Sequence, residues 1–392
     1  MYKNIYLRQG KDQSLRRFHP WIFSGAIQKA DKGILGGDTV RVISADGECL
    51  GVGHYQKGSI AVRMLSFRDQ EITPAYWQDR IEKALQLRRD IGVIRQDNTM
   101  FRLIHGEGDH LPGLIIDIYD TQAIIQAHSI GMHRERNAIC EALKTVMGST
   151  LTAIYYKSEQ TLPPIIPEIE RSGYLWGKAG EVDALENGLK FRIDWFRGQK
   201  TGFFLDQRDN RHLLGQYSKG KKVLNMFCYT GGFSVYALKG GASEVVSVDS
   251  SERAIEVTNM NVEMNFPACQ RHHSVTEDAF QFLGAMDNSY DLVILDPPAF
   301  AKHRDALHNA LKGYTRLNLK AFQKIRKGGI LFTFSCSQAV NKDQFRLAVM
   351  TAAAQSHRTV RILHQLHQPA DHPINIFHPE GEYLKGLVLY VE

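Results

Sequence analysis

KKVLNMFCYTGGFS, residues 221–234, is the stretch whose reading decides the fold. Val223 to Phe227 form a short, nearly unbroken apolar run, the mark of a strand covered on both faces. Gly231 and Gly232 then permit a tight turn into a helical stretch that starts at Phe233. The pattern recurs downstream: "EVVSVD" (244–249) precedes a helix from Ser251, "YDLVILD" (290–296) precedes a helix near 308–326, and "GGILFTFS" (328–335) follows it. Buried strands alternating with helices predict a doubly wound parallel sheet. Ligands of such sheets lie beyond the carboxyl ends of the strands, so the residues that follow each strand are the ones to weigh.

After the first strand, the glycine pair allows close backbone approach to a nucleotide-like ligand, although the stretch lacks a G-x-G-x-x-G fingerprint. Asp249 ends the second strand, where a carboxylate can accept both hydroxyl hydrogens of a ribose. The plainer reading makes it the N-cap of the next helix. A third, shorter strand in "HHSVTEDAF" (272–280) places Asp278 as an acceptor for an adenine amino group. The fourth ends in Asp296-Pro297-Pro298, two prolines that fix the backbone, remove two amide donors and hold a carboxylate toward a planar base. Cys336 follows the next strand, on the same sheet edge as the three aspartates; alone, an inert buried cysteine is its plainer reading.

A chain of 392 residues suggests two or three domains. Residues 1–70 alternate in period two, as in "DTVRVISADGECLGVGHY" (38–55) with its Asp46-Gly47 turn signal, and predict a small all-β barrel. This segment holds 11 Lys and Arg against 6 Asp and Glu, so most of the chain's net charge of +6 sits there, which points to a polyanionic partner. Within it, "RRFHPWIFSGAI" (16–27) gathers Arg16, Arg17, His19 and Trp21, a mix suited to stacking on bases while neutralising phosphates. Core packing of Trp21 and Phe23 is the alternative.

Residues 74–185 predict a central α+β domain. A helix is expected from Pro74 to about Ile91, with Trp77, Ile81, Ala84, Leu85 and Leu87 at helical spacing. The apolar runs "GLIIDIYD" (113–120) and "TQAIIQAH" (121–128), a helix around 133–147 and the strand "LTAIYYK" (151–157) follow. "TLPPIIPEIERSG" (161–173) and "GKAGEVDALENG" (177–188) are expected to be loops or a linker into residues 186–392.

Composition, at 43% hydrophobic and 23% charged residues, excludes a disordered or fibrous chain. The N-terminus lacks an apolar signal-like run and no stretch of eighteen apolar residues occurs, so a cytoplasmic location without membrane contact is expected. Cys49, Cys140, Cys228, Cys269 and Cys336 are scattered and odd in number, which disfavours a disulfide framework or zinc ribbon. His364, His367, His372 and His378 are irregularly spaced, and no metal site is expected.

The stretches "HPWIFSGAI", "GEGDHLPGL", "KTGFFLDQRDNR", "VLNMFCYTGGFSVYAL", "VVSVDSS", "DPPAF", "GYTRLNL", "GGILFTFSCS" and "PEGEYLKG" span nearly the whole chain. In them the sequence resembles the class I S-adenosylmethionine-dependent RNA methyltransferases related to the bacterial 23S ribosomal RNA 5-methylcytosine methyltransferase. The resemblance implies a multidomain α/β architecture: an N-terminal PUA-like β-barrel that binds RNA, a central EEHEE-type domain and a C-terminal Rossmann-like methyltransferase fold. It implies that Asn225, Phe227, Tyr229, Thr230 and Gly231 line the cofactor S-adenosylmethionine, that Asp249 with Ser250 holds its ribose and that Asp278 meets its adenine. Asp206, Gln207 and Arg208 would close the cofactor or substrate site. Cys336 would be the nucleophile and Asp296 the carboxylate on the target base.

The chemistry agrees from below. Carbon 5 of cytosine becomes nucleophilic enough for methylation only after a nucleophile adds to carbon 6, and a thiolate suits that role. The sequence departs from many RNA 5-methylcytosine enzymes in having Pro298-Ala299-Phe300 where a second cysteine is expected, so the group that removes the carbon 5 proton is unassigned. Methylation of a guanine or adenine nitrogen, with Cys336 structural, is the alternative within enzymes; an inactive RNA-binding assembly factor is the alternative outside them. The partner expected is RNA, with a homodimer as one expected assembly.

Overall fold

The period-two alternation of the first segment folds into a six-stranded sheet, in which the Asp46-Gly47 turn, with Gly47 at φ 86°, joins Thr39–Ile43 to Cys49–Tyr55 as an antiparallel pair. The computed structural model describes residues 2–180, 182–301 and 304–392. The strands lie in the order Trp21–Phe23, Ile60–Ser66, Cys49–Tyr55, Thr39–Ile43, Lys3–Leu7 and Ile27–Ala30. Ile5, Leu7, Val40, Val42, Val62 and Met64 turn into one apolar core. Only Ile22 of the strand Trp21–Phe23 joins them; Trp21 is half-buried and Phe23 is exposed, because alternate residues of a strand face opposite sides.

The expected helix forms as Pro74–Asp90, with Pro74 in its first turn where no amide donor is lost, and buries Trp77, Ile81, Ala84 and Leu85. It covers a five-stranded sheet ordered Ser172–Trp176, Ala153–Lys157, Gln122–Ala127, Leu114–Tyr119 and Met100–His105. The two edge strands were not legible as apolar runs. The segment expected to be a polar loop holds a hairpin, Val182–Glu186 and Leu189–Ile193. Asn187 (φ 49°) and Gly188 (φ 77°) make its left-handed two-residue turn.

By its contacts the chain divides into two compact units rather than three consecutive ones. One comprises Met1–Leu185, Ile193–Phe203 and Ala370–Gly381; the other comprises Glu186–Arg192, Phe204–Pro369 and Glu382–Glu392. Buried charge explains why residues 370–381 join the first unit. Arg88, fully buried, donates to Asp109 at 2.5 and 2.8 Å and to the carbonyl of Asp371 at 2.8 Å. The Asp371 carboxylate in turn accepts the backbone N–H of Arg102 at 3.0 Å.

The second unit carries the doubly wound sheet. Its strands are β1 (Lys222–Met226), β2 (Glu244–Asp249), β3 (His272–Thr276), β4 (Leu292–Leu295), β5 (Gly329–Ser335), β6 (Val360–Leu366) and β7 (Lys385–Val391). They lie in the order β3-β2-β1-β4-β5-β7-β6, parallel except β7. The helices are α1 (Arg208–Tyr217), α2 (Gly232–Lys239), α3 (Glu252–Asn265), α4 (Ala279–Ala285), α5 (Leu307–Lys324) and α6 (Lys342–Ser356). Leu224, Met226, Val293, Leu295 and Leu331 pack on Tyr314, Leu317 and Phe322 of α5 and on Phe345 of α6. Among the described residues, no helix is long and apolar enough to cross a membrane.

Candidate active site

Strand order reverses at β1, whose neighbours are β2 on one side and β4 on the other, so the carboxyl ends of these strands bound a crevice. The loop leaving β1 is wound left-handed at alternate residues: Phe227 (φ 57°), Tyr229 (φ 49°) and Gly231 (φ 76°). Two bulky residues in that region are unusual and cost energy, a feature that clusters at ligand sites. Gly231 is required on two counts: its φ is positive, and a Cβ there would stand 2.7 Å from Thr258 Cγ2. A hairpin turn of backbone, Gly231 N–H to the Cys228 carbonyl at 2.8 Å, closes the loop.

Asp249 braces this loop. Its carboxylate accepts the N–H of Tyr229 and that of Ser251, each at 3.0 Å. The N-cap of α3 is Ser251, whose Oγ accepts from Ala254, so the capping role that the sequence allowed Asp249 belongs to Ser251. Ser250, between them, is exposed. Asp278 does cap α4, its Oδ1 accepting from Phe280 at 2.9 Å and Gln281 at 3.0 Å, and it is exposed.

Asn225 is buried within β1 and donates to Ser234 Oγ at 2.9 Å, while its own Oδ1 has no hydrogen-bond partner among the described residues. Thr230 is also buried, and its carbonyl accepts from Asn261 at 2.7 Å. Asp206, Gln207 and Arg208 sit on a tight turn leading into α1, with side chains directed inward. Asp206 accepts from the Tyr383 hydroxyl at 2.6 Å, Gln207 accepts from Asn210 at 2.6 Å, and Arg208 lies 3.6 Å from Glu186. Phe204, which leads this turn, meets the ring of Tyr229 edge-on at 5.1 Å, which places the turn against the loop after β1. The left-handed loop, the bracing carboxylate and the cradle at Gly231 fit a nucleoside-bearing cofactor.

Asp296 and Cys336, both half-buried, follow the neighbouring parallel strands β4 and β5, where Leu295 stands opposite Thr333. Tyr314 of α5 holds the chain on both sides of Cys336: its hydroxyl accepts from Ser335 Oγ and shares a hydrogen bond with Ser337 Oγ, each at 2.9 Å. Burial pushes the Tyr314 phenol up, so it stays a neutral donor. Phe300 packs on the Tyr314 ring at 4.7 Å and the Ala301 N–H donates to Ser337 at 3.3 Å, tying the Asp296-Pro297-Pro298 turn to the same point.

Lys385 was missed in the sequence. It begins β7, opposite Ser335, is 4% exposed, and donates from Nζ to the Ser337 carbonyl at 2.7 Å. Burial lowers its pKa to about 8, and the charge of Cys336 works against that shift. The legible signal was a lysine opening the apolar strand "KGLVLYV".

The candidate RNA residues lie in the first unit. Arg16 and Arg17 are exposed, Arg16 in ion pairs with Asp12 at 2.7 Å and Glu48 at 2.6 Å. Trp21 donates from Nε1 to Glu107 at 2.7 Å, which fixes its ring. A cavity of about 630 Å³ lined by Phe18, Phe67 and Phe377 together with Arg68, Arg80 and Lys83 adds residues that no local motif marked.

Residues 167–380 match the family of S-adenosylmethionine-dependent methyltransferases, and residues 5–67 match the PUA-like domain. The chain is 40% identical over 396 residues to ribosomal RNA large subunit methyltransferase I of Aeromonas hydrophila, with 99% of each chain covered. It is 39% identical over 399 residues to the protein of the same name in Photobacterium profundum, with 100% of each covered. A solved structure described as a SAM-dependent methyltransferase from Streptococcus mutans shares the fold with a TM-score of 0.85 at 22% identity, covering 99% of this chain and 100% of the other. A methyltransferase structure complexed with SAH has the same score, identity and coverage.

Proposed function

We propose that this chain, which belongs to the ribosomal RNA large subunit methyltransferase I family of S-adenosylmethionine-dependent methyltransferases, methylates carbon 5 of a cytosine in large-subunit ribosomal RNA. The observation that carries the base and position is the pairing of Cys336 and Asp296 at the ends of adjacent parallel strands, beside the crevice where strand order reverses. Residues 1–70 serve as the RNA-binding domain, 74–185 as the central domain and 186–392, apart from the stretches 193–203 and 370–381 that pack within the first unit, as the catalytic domain.

S-adenosylmethionine, when bound, supplies an electrophilic methyl group on a sulfonium. The loop from Phe227 to Gly231 and Asp249 would hold it, Asp278 would meet its adenine, and Asp206, Gln207 and Arg208 would close the site. Cys336 attacks as the thiolate: Sγ forms a bond to carbon 6 of cytosine, and the displaced π pair becomes available at carbon 5. Asp296 holds the ring at nitrogen 3 and shares the proton that balances the charge of this adduct. After methylation, a base takes the carbon 5 proton, whose electron pair returns to the ring and expels the Cys336 thiolate. Lys385, beside Cys336, stabilises the thiolate at the start and at the end.

A second reading rests on Asp296-Pro297-Pro298 and Phe300, which suit an exocyclic amine held in plane. In that case Cys336 is structural and the methyl lands on nitrogen. Incubation with labelled methyl donor and RNA carrying 5-fluorocytidine separates the two. A covalent protein–RNA adduct that disappears in Cys336→Ala is expected; methylation retained in Cys336→Ala, with the methyl on a purine nitrogen by nucleoside mass spectrometry, would replace the first reading by the second.

A further inference from the structure

His19 and His378 lie far apart in the sequence, and no spacing rule connects them to Glu380. In the fold of the first unit they converge. Their ligand-type atoms all lie within 4.8 Å of one another. His19 Nε2 stands 3.5 Å, and His378 Nε2 3.7 Å, from the same oxygen of Glu380. The tight turn at Pro379–Gly381, closed by the Gly381 N–H on the His378 carbonyl at 3.1 Å, sets His378 and Glu380 side by side.

Three features distinguish this cluster from a surface ion pair. The separations are longer than a good hydrogen bond, yet they are close to the edge of a tetrahedron around a zinc ion, about 3.3–3.4 Å for bonds of about 2.0–2.1 Å. His378 is 3% exposed and neither of its ring nitrogens has a hydrogen-bond partner among the described residues, an expensive state for a buried imidazole. The rings are also oriented from behind. His19 Nδ1 accepts the Trp21 N–H at 3.2 Å and lies 3.3 Å from the Trp21 carbonyl, which seats the ring on that residue's backbone with Nε2 toward Glu380. The Trp21 indole, fixed by its bond to Glu107, packs on the His378 ring at 4.3 Å between centroids.

We propose that His19, His378 and Glu380 form a binding site for a divalent transition-metal ion of the zinc class, with one position left to solvent. Two imidazoles and a carboxylate suit zinc or its neighbours and not magnesium or calcium, which prefer an all-oxygen shell. Glu380 is half-exposed, so the fourth position opens outward. The ion fastens residues 378–380 to the N-terminal barrel and gives His19 a task other than contact with RNA.

The test uses the full chain, stripped with a chelator and dialysed, then titrated with Zn²⁺ by calorimetry and with Co²⁺ by visible absorption. One equivalent of Zn²⁺ per chain is expected, with Co²⁺ bands of a tetrahedral nitrogen and oxygen site. Glu380→Gln, which alters a half-exposed side chain, is expected to weaken Zn²⁺ binding by at least about tenfold. His19→Ala combined with Glu380→Gln should abolish both the binding and the rise in Tm that Zn²⁺ gives the unaltered chain. A stoichiometry and affinity unchanged in both variants, a thiolate-to-cobalt charge-transfer band, or no Zn²⁺ binding by the unaltered chain would each overturn the assignment.

Discussion

Lys385 reaches from β7 and donates to the carbonyl of Ser337 at 2.7 Å, one residue past Cys336, so that an ammonium stands buried beside the thiol. Burial disfavours that cation and lowers its pKa to about 8, while the charge of Cys336 favours it. The amine is therefore charged below pH 8 and neutral above. A cation beside a thiol favours the thiolate, so removing it makes the thiolate harder to form. In Lys385→Met, alkylation of Cys336 by iodoacetamide should shift to higher pH, with the rate at neutral pH falling about tenfold, and methyl transfer should fall with it. An alkylation profile that does not move would show that Lys385 is only structural.

Gly231→Ala should damage the loop after β1, the candidate cofactor loop. The residue holds φ 76° and an added Cβ would stand 2.7 Å from Thr258. The left-handed backbone alone costs about 1–2 kcal/mol for a residue with a side chain. Calorimetry with S-adenosylhomocysteine should find binding weakened beyond detection, and binding at unaltered affinity would separate this loop from the cofactor site.

Glu186→Gln should destabilise the second unit severely. Arg211 donates to both oxygens of Glu186 at 2.8 and 2.7 Å with neither side chain more than 3% exposed, and Arg208 stands 3.6 Å away. Neutralising the carboxylate leaves buried cations without their counter-charge, a loss of about 3–5 kcal/mol. A urea midpoint close to that of the unaltered protein would contradict this.

Acid should weaken the first unit below pH 6.5. His54 is buried against Trp77, and desolvation, aided by Arg134 and Arg63, lowers its pKa to about 4. Between pH 6.5 and about 4 the unfolded chain binds protons that the folded chain refuses, so stability falls as pH falls through that window. The His54 imidazole accounts for a loss on the order of 3 kcal/mol at the lower end. Thermal melts at pH 7 and 4.5 check this, and His54→Leu, which removes that imidazole, should flatten the difference.

Much of the candidate site was legible because parallel strands in a doubly wound sheet are apolar throughout and end in short turns. Asp249, Asp278, Asp296 and Cys336 each stand at such an end, and the structure brings all four to one edge. The hairpin at Asn187-Gly188 was not legible, because the polar residues around its left-handed turn read as a loop. Met100–His105 and Ser172–Trp176 were not either, since their sequences carry neither continuous apolar character nor clean alternation.

The sequence by itself determined the local order of elements, the sheet edge that carries the candidate site and the residue types placed there, because apolar period and turn residues act over a few positions. The tertiary structure alone decided which distant residues meet. Residues 370–381 fold onto the first unit because the buried Arg88 donates to the Asp371 carbonyl and the buried Asp371 carboxylate takes the backbone N–H of Arg102. That docking brings His378 and Glu380 to His19, and the pairing of β7 with β5 brings Lys385 to Cys336. Such meetings follow from long-range packing and the pairing of buried charge, which leave no periodic trace in the chain.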